Sequence, residues 1–378
     1  MATTGRQRII DAVEHREPDR VPVDFGGSMV TSIHEEGYDN LKKYLNILTD
    51  QQTTIARGRS LVAMVDPEVQ DRLDVDARML IVNGPDGWEA EAGSDSVVDE
   101  WGILWERPAG FGNYEITKSP LGGAVTLEDV RTMKWPDPSS GRFMEGLRDR
   151  ARALRNSTDK AIIANLAMQI HTQSYFLRGF SDYLMDLVMN QKLIEAIMDR
   201  VLEIFVDRTE RIMGEIADFV DIVYVADDLG AQNGPLFSPD VYRKILKPRQ
   251  RKLFEAIKRK SGTKILYHSC GAVVAFVDDL AEIGVDILNP VQTSAAGMDP
   301  KTLKARFGDK VCFWGGIDTQ QVLPFGKPEE VREEVRRRVE DFASGGGFVV
   351  AAIHNIRPEV PPENIVAMIE AVHEFGRA

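Results

Sequence analysis

Lys264-Ile265-Leu266-Tyr267-His268-Ser269-Cys270-Gly271 reads as the strand and turn of a repeating unit, an apolar run that ends in His-x-Cys and then a glycine. It sets an imidazole and a thiol at a strand's carboxyl end. Outward from it, further strand-like runs lie at Ala161 to Ala167, Asp221 to Ala226, Asp286 to Pro290, Lys310 to Trp314 and Gly347 to Ile353. Between and after them come amphipathic patterns at 182–214, 239–260, 273–283, 300–306, 328–343 and 362–376, each opening near Ser, Asp or Pro. Repeated βα predicts a parallel sheet with helices outside, and several runs are apolar on both faces, as a doubly covered sheet requires.

Polar residues just past the strand ends choose between an open sheet and a closed barrel. They are Asp227-Asp228, His268-Ser269-Cys270, Asn289, Asp318 and His354-Asn355. In a (β/α)8 barrel they form one ring around one site. An open sheet concentrates its chemistry at a switch point, with a glycine-rich phosphate loop after a strand, and no Gly-x-Gly-x-x-Gly stands in that context. Gly345-Gly346-Gly347 precedes a strand and reads as a helix-to-strand turn. The expected fold is therefore α/β, a (β/α)8 TIM barrel, with 1–378 as one domain. A helix near 4–15 precedes a first strand at Arg20 to Phe25, and 26–150 reads as an irregular insertion or cap. Within it, 88–127 carries alternating positions such as Trp101-Gly-Ile-Leu-Trp105, the pattern of a hairpin or small antiparallel sheet, closed by Pro136-Asp-Pro138.

The chain has 378 residues, is 43% hydrophobic and carries a formal charge of −13, so it can bury a large core and would repel a phosphate backbone or an anionic membrane. Nucleic acid is not an expected partner. Two cysteines, Cys270 and Cys312, make no disulfide framework and suit a reducing compartment, with the cytoplasm as the expectation. No apolar run approaches the roughly 20 residues of a membrane-spanning helix, and the first residues lack the apolar core of a secretion signal. Cys312, inside Val311-Cys-Phe-Trp314, reads as core.

Several stretches together resemble the uroporphyrinogen decarboxylase superfamily: Ile9-Ile10-Asp11-Ala12-Val13 through Arg16-Glu17-Pro18-Asp19-Arg20-Val21-Pro22-Val23, Gly234-Pro235-Leu236-Phe237-Ser238-Pro239, His268-Ser-Cys-Gly271, and Pro361-Pro-Glu-Asn-Ile365. The resemblance implies a (β/α)8 barrel. It also implies one of two chemistries, porphyrinogen decarboxylation or zinc-dependent, corrinoid-linked methyl transfer. Decarboxylases carry an arginine-bearing loop after the first strand to grip substrate carboxylates, whereas this chain has Asp24-Phe25-Gly26-Gly27-Ser28-Met29-Val30. The methyltransferase branch is similar in its His-x-Cys, here His268 and Cys270, and its third ligand, a Cys ten residues before the Asn of Pro-x-Glu-Asn-Ile, falls on His354. A His-Cys-His set for Zn2+ follows, more Lewis acidic than a set with two thiolates. A weaker resemblance to ether O-demethylase methyltransferases places Asp318, Glu333 and His354 at that group's acidic and His positions. Glu333 also reads as a solvated helix residue.

The resemblance thus implies a cobalamin-dependent methyltransferase acting on a methoxylated compound, most simply an aromatic ether, with a corrinoid carried by a partner protein. A small-molecule methyl donor and the corrinoid protein are the expected partners, and barrels of this sort often form a homodimer. Three readings stand beside it: methyl transfer from corrinoid to a thiol, decarboxylation of uroporphyrinogen, and a non-catalytic small-molecule-binding barrel. Asp227, Asp228 and Asp318 are candidate catalytic groups. An adjacent pair such as Asp227-Asp228 can supply a ligand and a base, or cap a turn. Phe25, His171, Tyr175 and Trp314 are candidates for contacting substrate, with core packing as the competing reading for the aromatics. His268 and Cys270 likewise read alternatively as a hydrogen-bonded loop residue and a small buried hydrophobe.

Overall fold

The computed structural model describes residues 3–47, 53–57, 61–82, 95–108, 113–140 and 143–377. Seven parallel strands run β1 (Ala77–Ile81), β2 (Ala161–Asn165), β3 (Ile222–Ala226), β4 (Lys264–His268), β5 (Ile287–Val291), β6 (Cys312–Ile317) and β7 (Phe348–Ala352), each hydrogen-bonded to the next in sequence. Residues 21–25 close the ring as its eighth stave. The Asp24 N–H donates to the Val350 carbonyl and the Val350 N–H to Pro22, each at 2.9 Å, while the Asp76 N–H donates to the Val23 carbonyl, also at 2.9 Å. The molecule is a (β/α)8 barrel.

Strand periodicity sorts the core into two layers. Leu266 of β4 packs inside the barrel with Ala77, Ile163, Tyr224, Ile287, Trp314 and Val349, whereas Ile265 and Tyr267 face the helices outside. Ile9, Ala12 and Val13 of the helix Gly5–Val13 join the interior layer and plug one end. Cys312 is fully buried in that layer, in the core position expected of it. At the other end the segment after the first stave folds inward, so that Val30 is 2% exposed and belongs to the interior. Two asparagines hold that segment: the Met29 N–H donates to Asn165 Oδ1 at 2.8 Å, and Asn355 Nδ2 donates to the Met29 carbonyl at 2.5 Å.

Some expectations need correction. The span 26–150 is not one insertion, because β1 lies inside it and pairs with β2 over its whole length. What stands apart is a three-stranded antiparallel sheet, Ser96–Val98, Leu104–Glu106 and Glu115–Lys118, in the stretch whose alternation predicts a hairpin or small antiparallel sheet; residues 88–94 and 109–112 of that stretch lie outside the described residues. Arg208 fastens this part of the chain to the helix Gln191–Ile216, its guanidinium meeting both Glu100 carboxylate oxygens at 2.7 and 2.5 Å. The helical pattern at 182–214 is two helices, Phe180–Met189 and Gln191–Ile216, broken at Asn190 with φ −142°. Among the described residues no helix is long and apolar enough to cross a membrane.

Candidate metal centre

His268 ends β4 on the barrel's inner side, and strand register sets it level with Asn289 of β5. Asn289 is fully buried, and its Oδ1 lies 2.6 Å from His268 Nδ1. The amide's other end, Nδ2, donates to the Trp314 carbonyl at 3.3 Å, so the oxygen is the end that faces the ring. His268 therefore carries its proton on Nδ1 and presents a lone pair at Nε2, 3.4 Å from Cys270 Sγ.

The turn that presents Cys270 is held from several sides. The Ser269 N–H donates to the Asn289 carbonyl at 2.7 Å, and Ser269 Oγ accepts from the Leu229 N–H at 2.8 Å. Asp228 Oδ1 accepts from the Cys270 N–H at 2.9 Å, and Gln292 Oε1 accepts from the Gly271 N–H at 2.8 Å. Gly271 has φ +83°, and a Cβ there would meet the Ala231 carbonyl oxygen at 2.7 Å, so only glycine fits the turn. Burial pushes the Cys270 thiol up, and the Asp228 carboxylate adds to the effect.

His354 follows β7 on the same rim and sets its ring edge-on to His268, centroids 5.5 Å apart. Donor atoms of His268, Cys270 and His354 all lie within 4.8 Å of one another. For tetrahedral zinc with bonds of about 2.3 Å to sulfur and about 2.0–2.1 Å to nitrogen, the sulfur-to-nitrogen edge is about 3.6 Å. The observed 3.4 Å between Cys270 and His268 is close to that edge. Two imidazoles and one thiol are borderline-soft donors that suit zinc, and three protein ligands leave a fourth position open. The residues present fit the ion.

The remaining candidates are placed differently. Asp227 is 2% exposed, with Oδ1 accepting from the Thr172 N–H at 2.9 Å and Oδ2 from Gln250 Nε2 at 3.0 Å. It thus caps the helix Ile170–Arg178 from a neighbouring strand, where the helix's own N-cap residue Gln169 makes no side-chain bond. Burial pushes its carboxyl up to about 7 despite those bonds. Asp318 spends Oδ1 on the Gln320 and Gln321 N–H groups at 2.6 and 3.2 Å, which closes its own turn. Glu333 pairs with Arg336 in solvent, and it is Glu334, one residue on, that is buried and accepts from the Asp318 N–H at 3.3 Å.

His171 is fully buried, bonded through Nδ1 to the Tyr183 hydroxyl at 2.6 Å, and burial lowers it to about 4. Tyr175, half-buried, packs edge-on to it at 5.4 Å. Phe25 is 1% exposed and faces the outer layer of helices, so it does not line the mouth. Trp314 is buried entirely within the barrel and donates Nε1–H to Asp24 Oδ2 at 3.0 Å, which makes it a foundation below the site. In the sequence Asn289 and Ser269 stand among the polar residues of the rim with no individual role, and Gln250 is not singled out; the link from Asn289, in the middle of β5, to His268 shows only in the strand register that sets the two side by side.

The profile of the family described as uroporphyrinogen decarboxylase (URO-D) matches residues 118–375. Uroporphyrinogen decarboxylase from Pseudomonas entomophila (strain L48) is 27% identical over 262 residues, 66% of this chain and 69% of that protein. The enzyme of the same name from Methylococcus capsulatus is 36% identical over 103 residues, 27% of this chain and 28% of that one. Among solved structures, a methyltransferase from Methanosarcina mazei superposes with a TM-score of 0.68, covering 98% of this chain and 99% of that one at 18% identity. At that identity the likeness is one of fold.

Proposed function

The chain belongs to the uroporphyrinogen decarboxylase family, and on that footing we propose that it is a zinc-dependent methyltransferase, moving a methyl group between a methoxylated compound, most simply an aromatic ether, and a corrinoid carried by a partner protein. The observation that carries the reading is the approach of His268, Cys270 and His354 donor atoms within 4.8 Å at the barrel rim, where barrel enzymes do their chemistry. Zinc held there would supply Lewis acidity at an open position, where an ether oxygen can shed charge as its bond to the methyl carbon breaks. His268, with its proton engaged by Asn289, offers a lone pair and no acid. Cys270 contributes the one anionic donor, giving up its thiol proton when the set is filled.

The names of the relatives favour a second reading, decarboxylation of uroporphyrinogen. Against it stands the segment Asp24 to His34, which holds no Arg or Lys to pair with substrate carboxylates, and whose Val30 fills the barrel interior. The purified protein, incubated with a cobalt(I) corrinoid and candidate methyl aryl ethers, is expected to produce the methylcobalt absorbance. Cys270→Ala is expected to abolish it. Carbon dioxide released from uroporphyrinogen by metal-free protein would establish the second reading instead.

A further inference from the structure

We propose that Asn289 is the positioning residue of this centre: a buried, uncharged amide that fixes which nitrogen of His268 is turned toward the other donors. The inference rests on the metal reading above. Asn289 works through the ring of His268.

A neutral imidazole has two tautomers, and only one leaves Nε2 bare. In water they interconvert freely, so an unheld histidine would present the wrong nitrogen part of the time and rotate besides. Asn289 removes both freedoms. Its Oδ1 sits 2.6 Å from His268 Nδ1, and the amide cannot turn round, because Nδ2 is already committed to the Trp314 carbonyl at 3.3 Å. The backbone tightens the same arrangement, since the Asn289 carbonyl accepts from the Ser269 N–H at 2.7 Å, between His268 and Cys270. One residue thus sets the ring and the turn that carries the thiol.

The choice of an amide also tunes the site. A carboxylate in this place would raise the basicity of the imidazole and add a buried negative charge. An amide orients the ring without that charge, so the ion keeps more of its electrophilic character for an incoming oxygen.

Two measurements test the assignment. Nitrogen-15 NMR of metal-free, histidine-labelled protein, with His268→Gln to assign the signal, is expected to show His268 protonated at Nδ1. Zinc affinity by chelator competition is expected to fall about 10- to 100-fold in Asn289→Leu, and to recover most of that loss in Asn289→Asp, which keeps the acceptor. Protonation at Nε2, or a folded Asn289→Leu protein that binds zinc as tightly as the wild type, overturns the proposal. Should the leucine variant fail to fold, the tautomer in the wild type decides. A wild type that holds Nδ1–H yet binds no zinc would sink the metal reading and leave the hold on the ring standing.

Discussion

Adjacent carboxylates at a barrel mouth invite a catalytic reading, yet Asp227 and Asp228 each take hold of a different neighbour. Asp227 clamps the first turn of the helix Ile170–Arg178, and Asp228 clamps the Cys270 backbone. Asp227→Asn keeps one acceptor but turns an NH2 group toward Gln250 Nε2, whose own Oε1 is committed to the Tyr242 hydroxyl. It is expected to lower stability in urea by about 1–3 kcal/mol while leaving zinc content unchanged; loss of zinc with stability intact would make Asp227 a ligand. Asp24 gives a pH dependence. Burial pushes its carboxyl up to about 6, against the hydrogen bonds from Thr31, Gly27 and Trp314. A raised carboxyl favours the protonated form in the folded state, so its contribution is full below about pH 4 and lost as pH rises through about 6, roughly 3 kcal/mol in all. Urea titrations of Asp24→Asn from about pH 4 to pH 7 are expected to lack that decline, and a slope parallel to the wild type would contradict the assignment. His268, Cys270 and His354 could be picked out in the sequence because imidazoles and thiols are scarce and strand ends mark the rim. Asn289 could not be assigned, because an amide's role depends on which ring it faces.

Strands that are apolar on both faces show in the sequence, and β2 to β7 begin and end within a few residues of where their β-branched runs do. β1 was hidden because Ala77-Arg78-Met79-Leu80-Ile81 carries a charge at its second position; Arg78 is 4% exposed and settles by pairing with Asp71 and donating to the Ala77 carbonyl. The break at Asn190 was hidden as well, since apolar spacing continues across it while the backbone does not. A nearly buried ion pair helps to seat the antiparallel sheet, beside the edge-on contacts of Trp101 with Phe205 and of Trp105 with Phe176. Arg208 is ringed by Trp101 and Phe143, and Glu100 is the partner that neutralises it. Glu100→Ala strands the guanidinium and is expected to cost about 3 kcal/mol in denaturant unfolding, most of which Glu100→Ala combined with Arg208→Met recovers. A double variant as unstable as the single would show that the pair is not what holds the sheet.

For the molecule as a whole, closure is what brings distant segments together. β4 and β7 are 84 residues apart at their starts and three staves apart in the ring, and the curvature of the sheet that residues 21–25 close between β7 and β1 brings His268 and His354 to one rim. The rhythm of the chain predicted a parallel sheet with helices outside, and the polar strand ends predicted the closed ring and its single rim. What fills the barrel was not legible: the inward turn of Val30 depends on the asparagines that pin Met29, and those come from β2 and from the residue after His354. The proposed chemistry depends on the metal that His268, Cys270 and His354 would hold. X-ray absorption at the zinc edge of the purified protein tests it most directly. It is expected to show one sulfur at about 2.3 Å and two or three nitrogen or oxygen neighbours at about 2.0–2.1 Å. Zinc surrounded by two or more sulfurs, or by none, would contradict it.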